Sequence, residues 1–400
     1  MSDRVLITLM CIAEVLGMLG IFMFSALLPE MQAEWSLSNS AAGWITGIYF
    51  FGFLVAVPVL VSLTDRADAR LIYLLGTGLG GVCMIGFALL ADGFWSAMLF
   101  RTLAGVALAG TYMPGLKALT DRVSEVSQPR AVAFYTSSFS IGASVSFLIA
   151  GEVAAVLSWQ WAFGVAALCA PLAMALSGWA LTVRPGAVHQ APEHHLLDFR
   201  PVFQNREAMG YILAYTSHNF ELFGFRGWLV AFLVFSQALN PDYATWNVTA
   251  IGAVLVLLAM PASIVGSELA VRYGRRRMVT WLMATSAFLA AIFGFAAVLP
   301  FPLVIALAVV YSLFVSADSS AITTGAVQAA PANGLGAVMA VHSCLGFIGA
   351  VLGPLAFGVV LDIAGTDNLL GWALAFGSLG LGVLTGPLLL AAMANRRVED

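Results

Sequence analysis

The sequence predicts an all-α membrane protein: twelve transmembrane helices in two six-helix halves. Three observations predict it. Of 400 residues, 61% are apolar and 10% charged, and the mean hydropathy is +0.94, far from the values of soluble chains. The apolar runs are long enough to cross a bilayer as helices and too long for barrel strands. The chain also repeats itself at an offset of 207 residues, which sets Glu14 on Glu221, Gly17 on Gly224, and Gly142 and Gly151 on Gly349 and Gly358.

The spans are expected at 5–28, 40–63, 71–92, 95–118, 130–157, 161–182, 208–235, 246–270, 278–299, 303–325, 336–361 and 370–394. The first follows a short basic start that imitates a signal peptide. Glu14 interrupts its core, no small-x-small cleavage site follows, and eleven further spans come after it, so it is expected to be retained. The sixth opens on Trp159-Gln160-Trp161-Ala162-Phe163. The seventh is almost unbroken hydrocarbon around His218, Glu221 and Arg226. The tenth carries Asp318 amid Ser316, Ser319, Ser320, Thr323 and Thr324, and the eleventh ends at Asp362.

Between the halves lies the long polar stretch, so the domains are expected at 1–182 and 208–400 with a cytoplasmic linker at 183–207. Its histidines (His189, His194 and His195) lack companions that would make a metal site, and a solvated linker accounts for them. With the N-terminus inside, cytoplasmic segments hold fourteen of the seventeen Lys and Arg. Arg101, Lys117 and Arg226 fall within helices, and external loops have none. Both termini are therefore expected in the cytoplasm, with the chain in the cell membrane (the inner membrane in a Gram-negative bacterium). Cys11, Cys83, Cys169 and Cys344 all fall within spans, so neither disulfides nor metal ligation is expected.

Together these features resemble the major facilitator superfamily over the whole chain. The family's loop between helices two and three reads Gly-x-x-x-Asp-Arg-x-Gly-Arg-Arg. Here Asp65, Arg66 and Arg70 match it and the family glycines are missing. Its counterpart, Arg272-Tyr273-Gly274-Arg275-Arg276-Arg277, keeps the glycine and arginines but has Val271 in place of the aspartate. The resemblance implies a cytoplasmic gate made of Asp65, Arg66, Arg70, Arg272, Arg275 and Arg276; the plainer role for these arginines is topology alone. Arg101-Thr102-Leu103-Ala104-Gly105 is similar to the family's fourth-helix motif. The Gly-x-x-x-Gly-Pro of many family antiporters is absent from helix five and stands instead in helix eleven, Gly349 to Pro354. The resemblance further implies two bundles related by a pseudo-twofold axis along the membrane normal, with helices one, four, seven and ten around a cavity.

Each of those four helices carries an ionisable group, which on insertion scales costs about 2.5–3.5 kcal/mol at a helix centre and so tends to mark a cavity or ion path. The substrate-binding or proton-coupling candidates are Glu14, Arg101, Tyr112, His218, Glu221, Arg226 and Asp318, with Lys117, Tyr135 and His342 behind them. Glu14 and Glu221 fall near mid-helix, where burial favours the protonated carboxyl. His218 stands one turn before Glu221 on the same face, and histidine side chains in general can relay protons or hydrogen-bond a solute. For Arg226 three roles stay open: binding an anion, pairing with a carboxylate, or snorkelling outward. Tyr135 and His342 occupy matching places in the repeat. Pairing that merely holds helices together, and helix packing by the small residues, are the simpler accounts of these features.

The expected function is proton-coupled secondary transport of a small polar organic solute by alternating access, with symport favoured because helix five lacks the glycine-proline element. Two alternatives stand beside it: proton-driven export of amphipathic cations, and a non-transporting sensor or assembly factor. The phosphate-binding Gly-x-x-x-x-Gly-Lys-Ser/Thr loop is absent, so ATP is not the expected energy source. Solute, protons and the bilayer are the expected partners. No enzyme activity, cofactor or nucleic acid is expected, and the expected state is a monomer.

Overall fold

The computed structural model describes residues 1–64, 66–183, 199–331 and 334–394; Asp65 and most of the predicted linker lie outside them. Every described element is helical, and eleven spans are long and apolar enough to cross a membrane. The first predicted span is instead broken into α1 (Asp3–Gly17), α2 (Met23–Ala26) and α3 (Leu28–Trp35). The Gly17-Met18-Leu19-Gly20 segment explains the break, since two glycines within four residues weaken a helix by about 1 kcal/mol each.

There follow α4 (Asn39–Leu63), α5 (Ala69–Leu90), α6 (Phe94–Thr120), α7 (Gln128–Val156), α8 (Trp159–Ala180), the short α9 (Arg200–Gln204) and α10 (Arg206–Ala238). Two later spans are each made of two helices: α11 (Val248–Leu257) with α12 (Ala259–Tyr273), and α14 (Phe301–Ala317) with α15 (Ser319–Ala329). Between those pairs lies α13 (Arg275–Phe293), and α16 (Leu335–Ala364) and α17 (Leu369–Ala392) complete the chain.

The chain forms two compact units. The first takes Met1–Leu37, the stretch from Ile48 through α8, and Asn247–Leu257. The second takes Ser38–Gly47, α9, α10, and everything described from Leu258 onward. Thus the opening turns of α4 pack in the second unit, and α11 packs in the first.

Small residues allow these contacts. A Cβ on Gly151 of α7 would meet Thr249 Oγ1 of α11 at 1.7 Å, and one on Gly358 of α16 would meet the Asn39 carbonyl at 2.2 Å. The two glycines related by the repeat thus admit the first turn of a helix at equivalent places. Each such turn is capped from within its own unit. Asp362 accepts from the amides of Asn39 (2.9 Å) and Ser40 (2.8 Å). Asn247 caps α11 through the Ala250 amide and donates to Glu152 at 2.7 Å.

Within the second unit α10 is the central element. Its apolar window is 83% buried, whereas the other spans reach 33–50%. A titratable group on α10 therefore meets protein rather than lipid, and the unit's polar chemistry gathers there.

Candidate functional site

In the first unit Glu14 is 1% exposed, and its Oε2 accepts from the Tyr135 hydroxyl at 2.6 Å. Gly115 opposite makes room, because a Cβ there would stand 2.1 Å from the Tyr135 oxygen. Tyr112 stacks on Tyr135, ring centroids 6.2 Å apart. Among the described residues no Lys, Arg or His pairs with Glu14.

Arg101 is buried but turned elsewhere. Its two terminal nitrogens donate to the carbonyls of Gly20 and Ile21, both at 3.0 Å, and its guanidinium lies 4.3 Å from the Tyr49 ring centroid. Where α1 stops, backbone carbonyls lose their helical partners. Arg101 satisfies two of them, and Ser146 bridges the same break by donating to Leu19 O (2.5 Å) and accepting from the Phe22 amide (3.1 Å).

In the second unit Glu221, also 1% exposed, accepts at Oε1 from Ser286 of α13 (2.8 Å) and Tyr311 of α14 (3.0 Å). His218 Nδ1 lies 2.8 Å from Asp318 Oδ1, with both side chains almost fully buried. Asp318 stands at the junction of α14 and α15, where the chain leaves regular helix inside the protein. Tyr215 stacks on His342 with centroids 4.0 Å apart and faces His218 at 5.7 Å. Thr323 Oγ1 is 3.3 Å from His342 Nε2. His218 Nε2 and His342 Nδ1 are buried without a hydrogen-bond partner among the described residues. Such atoms are costly to leave unmet and suit a bound solute or water. Arg226 is buried farther along α10.

The structure thus gathers His218, Asp318, His342 and Tyr215 into one cluster and gives each glutamate a tyrosine hydroxyl. The tyrosines differ in origin. Tyr135 sits on α7, whereas its repeat counterpart His342 on α16 leaves Glu221 to Tyr311 of α14. Neither Ser286 nor Tyr311 is among the site candidates the sequence offers, although Tyr311 shares a helix face with Asp318. Ser286 stands in a span poor in polar residues and Tyr311 in one rich in serine and threonine, so helical spacing is the only signal for either.

At the loop ends, Arg70 donates to Gly178 O at 3.0 Å, and Arg66 is exposed. The ion pair present there joins Asp68 to Arg122 at 2.8 Å. Asp68 also caps α5 through the Arg70 amide at 3.0 Å. Neither Asp68 nor Arg122 stood out in sequence, since a loop aspartate and arginine carry no spacing signal. Arg275 donates to Gln328, Arg276 to Leu390 O at 2.7 Å, and Arg272 lies over its neighbour Tyr273. Lys117 pairs one turn along with Asp121 at 3.2 Å, largely in solvent.

Helices that span a membrane while burying acids, imidazoles and guanidinium groups define a multi-pass membrane protein whose chemistry lies in its interior. The chain belongs to the Major Facilitator Superfamily, whose model matches residues 10–240. Protein spinster homolog 3 of Danio rerio is 21% identical over 58% of this chain and 48% of its own length. The MFS-type transporter YceJ of Bacillus subtilis is 26% identical over 63% of each chain. The chain spans about half the length of the spinster relatives it matches first.

Among solved structures, the nucleoside transporter NupG superposes with a TM-score of 0.78 at 15% identity, covering 98% of both chains. A bacterial homolog of the human lysosomal transporter spinster gives 0.73 at 18% identity, covering 97% of this chain and 94% of that one. These likenesses concern the fold.

Proposed function

We propose that the protein is a proton-coupled secondary transporter of a small polar organic solute, working by alternating access, with symport as its direction of coupling. The carrying observation is that Glu14 and Glu221 are both buried and meet hydroxyl donors with no cation partner among the described residues. Charging an isolated carboxyl away from water is expensive. A carboxyl held by hydroxyls alone can take a proton while buried and exchange it when opened to water. The cluster of His218, Asp318, Tyr215 and His342 supplies unmet polar atoms beside aromatic faces, which suits a polar solute with a planar part. NupG, described as a nucleoside transporter, supports that class.

Relatives described as sphingolipid transporters, such as Probable sphingolipid transporter spinster homolog 2 of Arabidopsis thaliana, favour an amphipathic solute as the second reading. Proteoliposomes with an imposed pH gradient separate the two. Accumulation of radiolabelled nucleosides supports the first, and gradient-driven redistribution of a long-chain amine supports the second. If no solute of either class moves with the gradient, proton-coupled transport of both classes fails.

A further inference from the structure

Wholly within the first unit, a groove of about 960 Å³ runs between α5 and α8. Small residues floor it: Gly78, Gly81, Gly164 and Ala170. Open space lies above two of them, since a Cβ on Gly164 would meet nothing within 4 Å and one on Gly78 only Met174, at 3.5 Å, whereas one on Gly81 would meet the Ala170 Cβ at 2.7 Å. Leu89 and Leu168 on its walls are 74% and 71% exposed. From Gly78 to Ala91 the α5 side rises roughly 20 Å, more than half the ~30 Å hydrocarbon thickness. That length matches one extended alkyl chain.

Its mouth is not apolar. Trp159, Gln160 and Trp161 line it there, and the Trp159 indole donates to Glu34 Oε2 of α3 at 2.6 Å. Glu30 lies one helical turn earlier on the same face of α3. Both carboxylates are exposed, and no described cation pairs with either. The groove also shares Gly81 and Ala170 with a small inner cleft that reaches Gly17, Tyr49 and Thr111.

We propose that this groove binds a single-chain cationic amphiphile, a long-chain primary amine. Its alkyl chain lies between α5 and α8, and its ammonium group meets Glu30 and Glu34 beside the Trp161 ring. The carboxylates select the head group, because an anionic or neutral one leaves both without a cation. Aromatic faces at the mouth favour a cation as well. The site stands whether or not the proton-coupled reading holds.

The test is photolabelling of the intact protein in lipid nanodiscs with diazirine-bearing octadecylamine and the matching octadecanol, with labelled peptides mapped by mass spectrometry. The amine is expected to label α5 and α8 in preference to the alcohol. Gly164→Phe is expected to lower that labelling by at least about tenfold, since several methylenes lose their burial. Gly78→Leu fills the groove from the opposite helix and serves should the first variant misfold. Combining Glu30→Gln with Glu34→Gln is expected to lower amine labelling by roughly two- to fivefold, the range of exposed charge pairs, and to leave the alcohol unchanged. Equal labelling by amine and alcohol, labelling spread evenly over lipid-facing helices, or indifference to both groove-filling variants overturns the proposal.

Discussion

Tyr135 donates its hydroxyl to Glu14 across 2.6 Å, and it is the one hydrogen-bond donor Glu14 has among the described residues. Glu221, its counterpart in the repeat, receives two hydroxyls, from Ser286 and Tyr311. Equivalent acids in the two units are therefore held unequally. Removing one hydroxyl from a buried pair costs about 1–2 kcal/mol when the partner is left unmet. Tyr135→Phe is accordingly expected to destabilise the purified protein more than Tyr311→Phe, because Ser286 still serves Glu221. Thermal unfolding in detergent compares the two, and equal or reversed losses contradict the asymmetry.

Arg101 holds the broken end of α1 by two parallel bonds to Gly20 and Ile21. A lysine brings charge but cannot reproduce a planar fork. Arg101→Lys is expected to cost roughly 1–3 kcal/mol and to speed hydrogen exchange at the amides of residues 18–22, with little change in α5. Unchanged exchange in that segment removes the bracing role.

Asp68 and Arg122 form a part-buried, charge-assisted pair. Pairs of this kind couple by about 0.5–3 kcal/mol in double-mutant cycles. Asp68→Asn and Arg122→Gln, alone and combined, are expected to be non-additive in unfolding experiments. Additive losses show that the two residues act separately.

His342 presents an unmet Nδ1 beside the Tyr215 ring. His342→Phe keeps the stack and removes both ring nitrogens. If the cluster binds solute, solute affinity measured by scintillation proximity is expected to fall about tenfold, the worth of one good hydrogen bond, while thermal stability holds. Undiminished affinity removes His342 from the binding set.

Much of this was legible in sequence. Mid-helix acids at equal places in two halves mark the interior, because hydrocarbon tolerates such groups poorly. Gly142, Gly151, Gly349 and Gly358 also told where helices come close. The partners were not legible. Nothing in spacing says that Tyr311 rather than His342 serves Glu221, since that depends on how α14 and α16 rotate against α10. The first span reads as one apolar run, yet Gly17 and Gly20 end the helix there and draw Arg101 to the freed carbonyls. Asp65 drew attention by family pattern and lies outside the described residues, while Asp68 carries the cap and the ion pair.

Gradient-driven accumulation in proteoliposomes, compared for wild type, Glu14→Gln and Glu221→Gln, tests the central claim most directly. Glutamine keeps the acceptor oxygen and cannot release a proton. The account predicts that wild type concentrates solute under an inward pH gradient, and that the glutamine variants lose accumulation while still exchanging labelled solute at equilibrium. Full accumulation by both variants contradicts it.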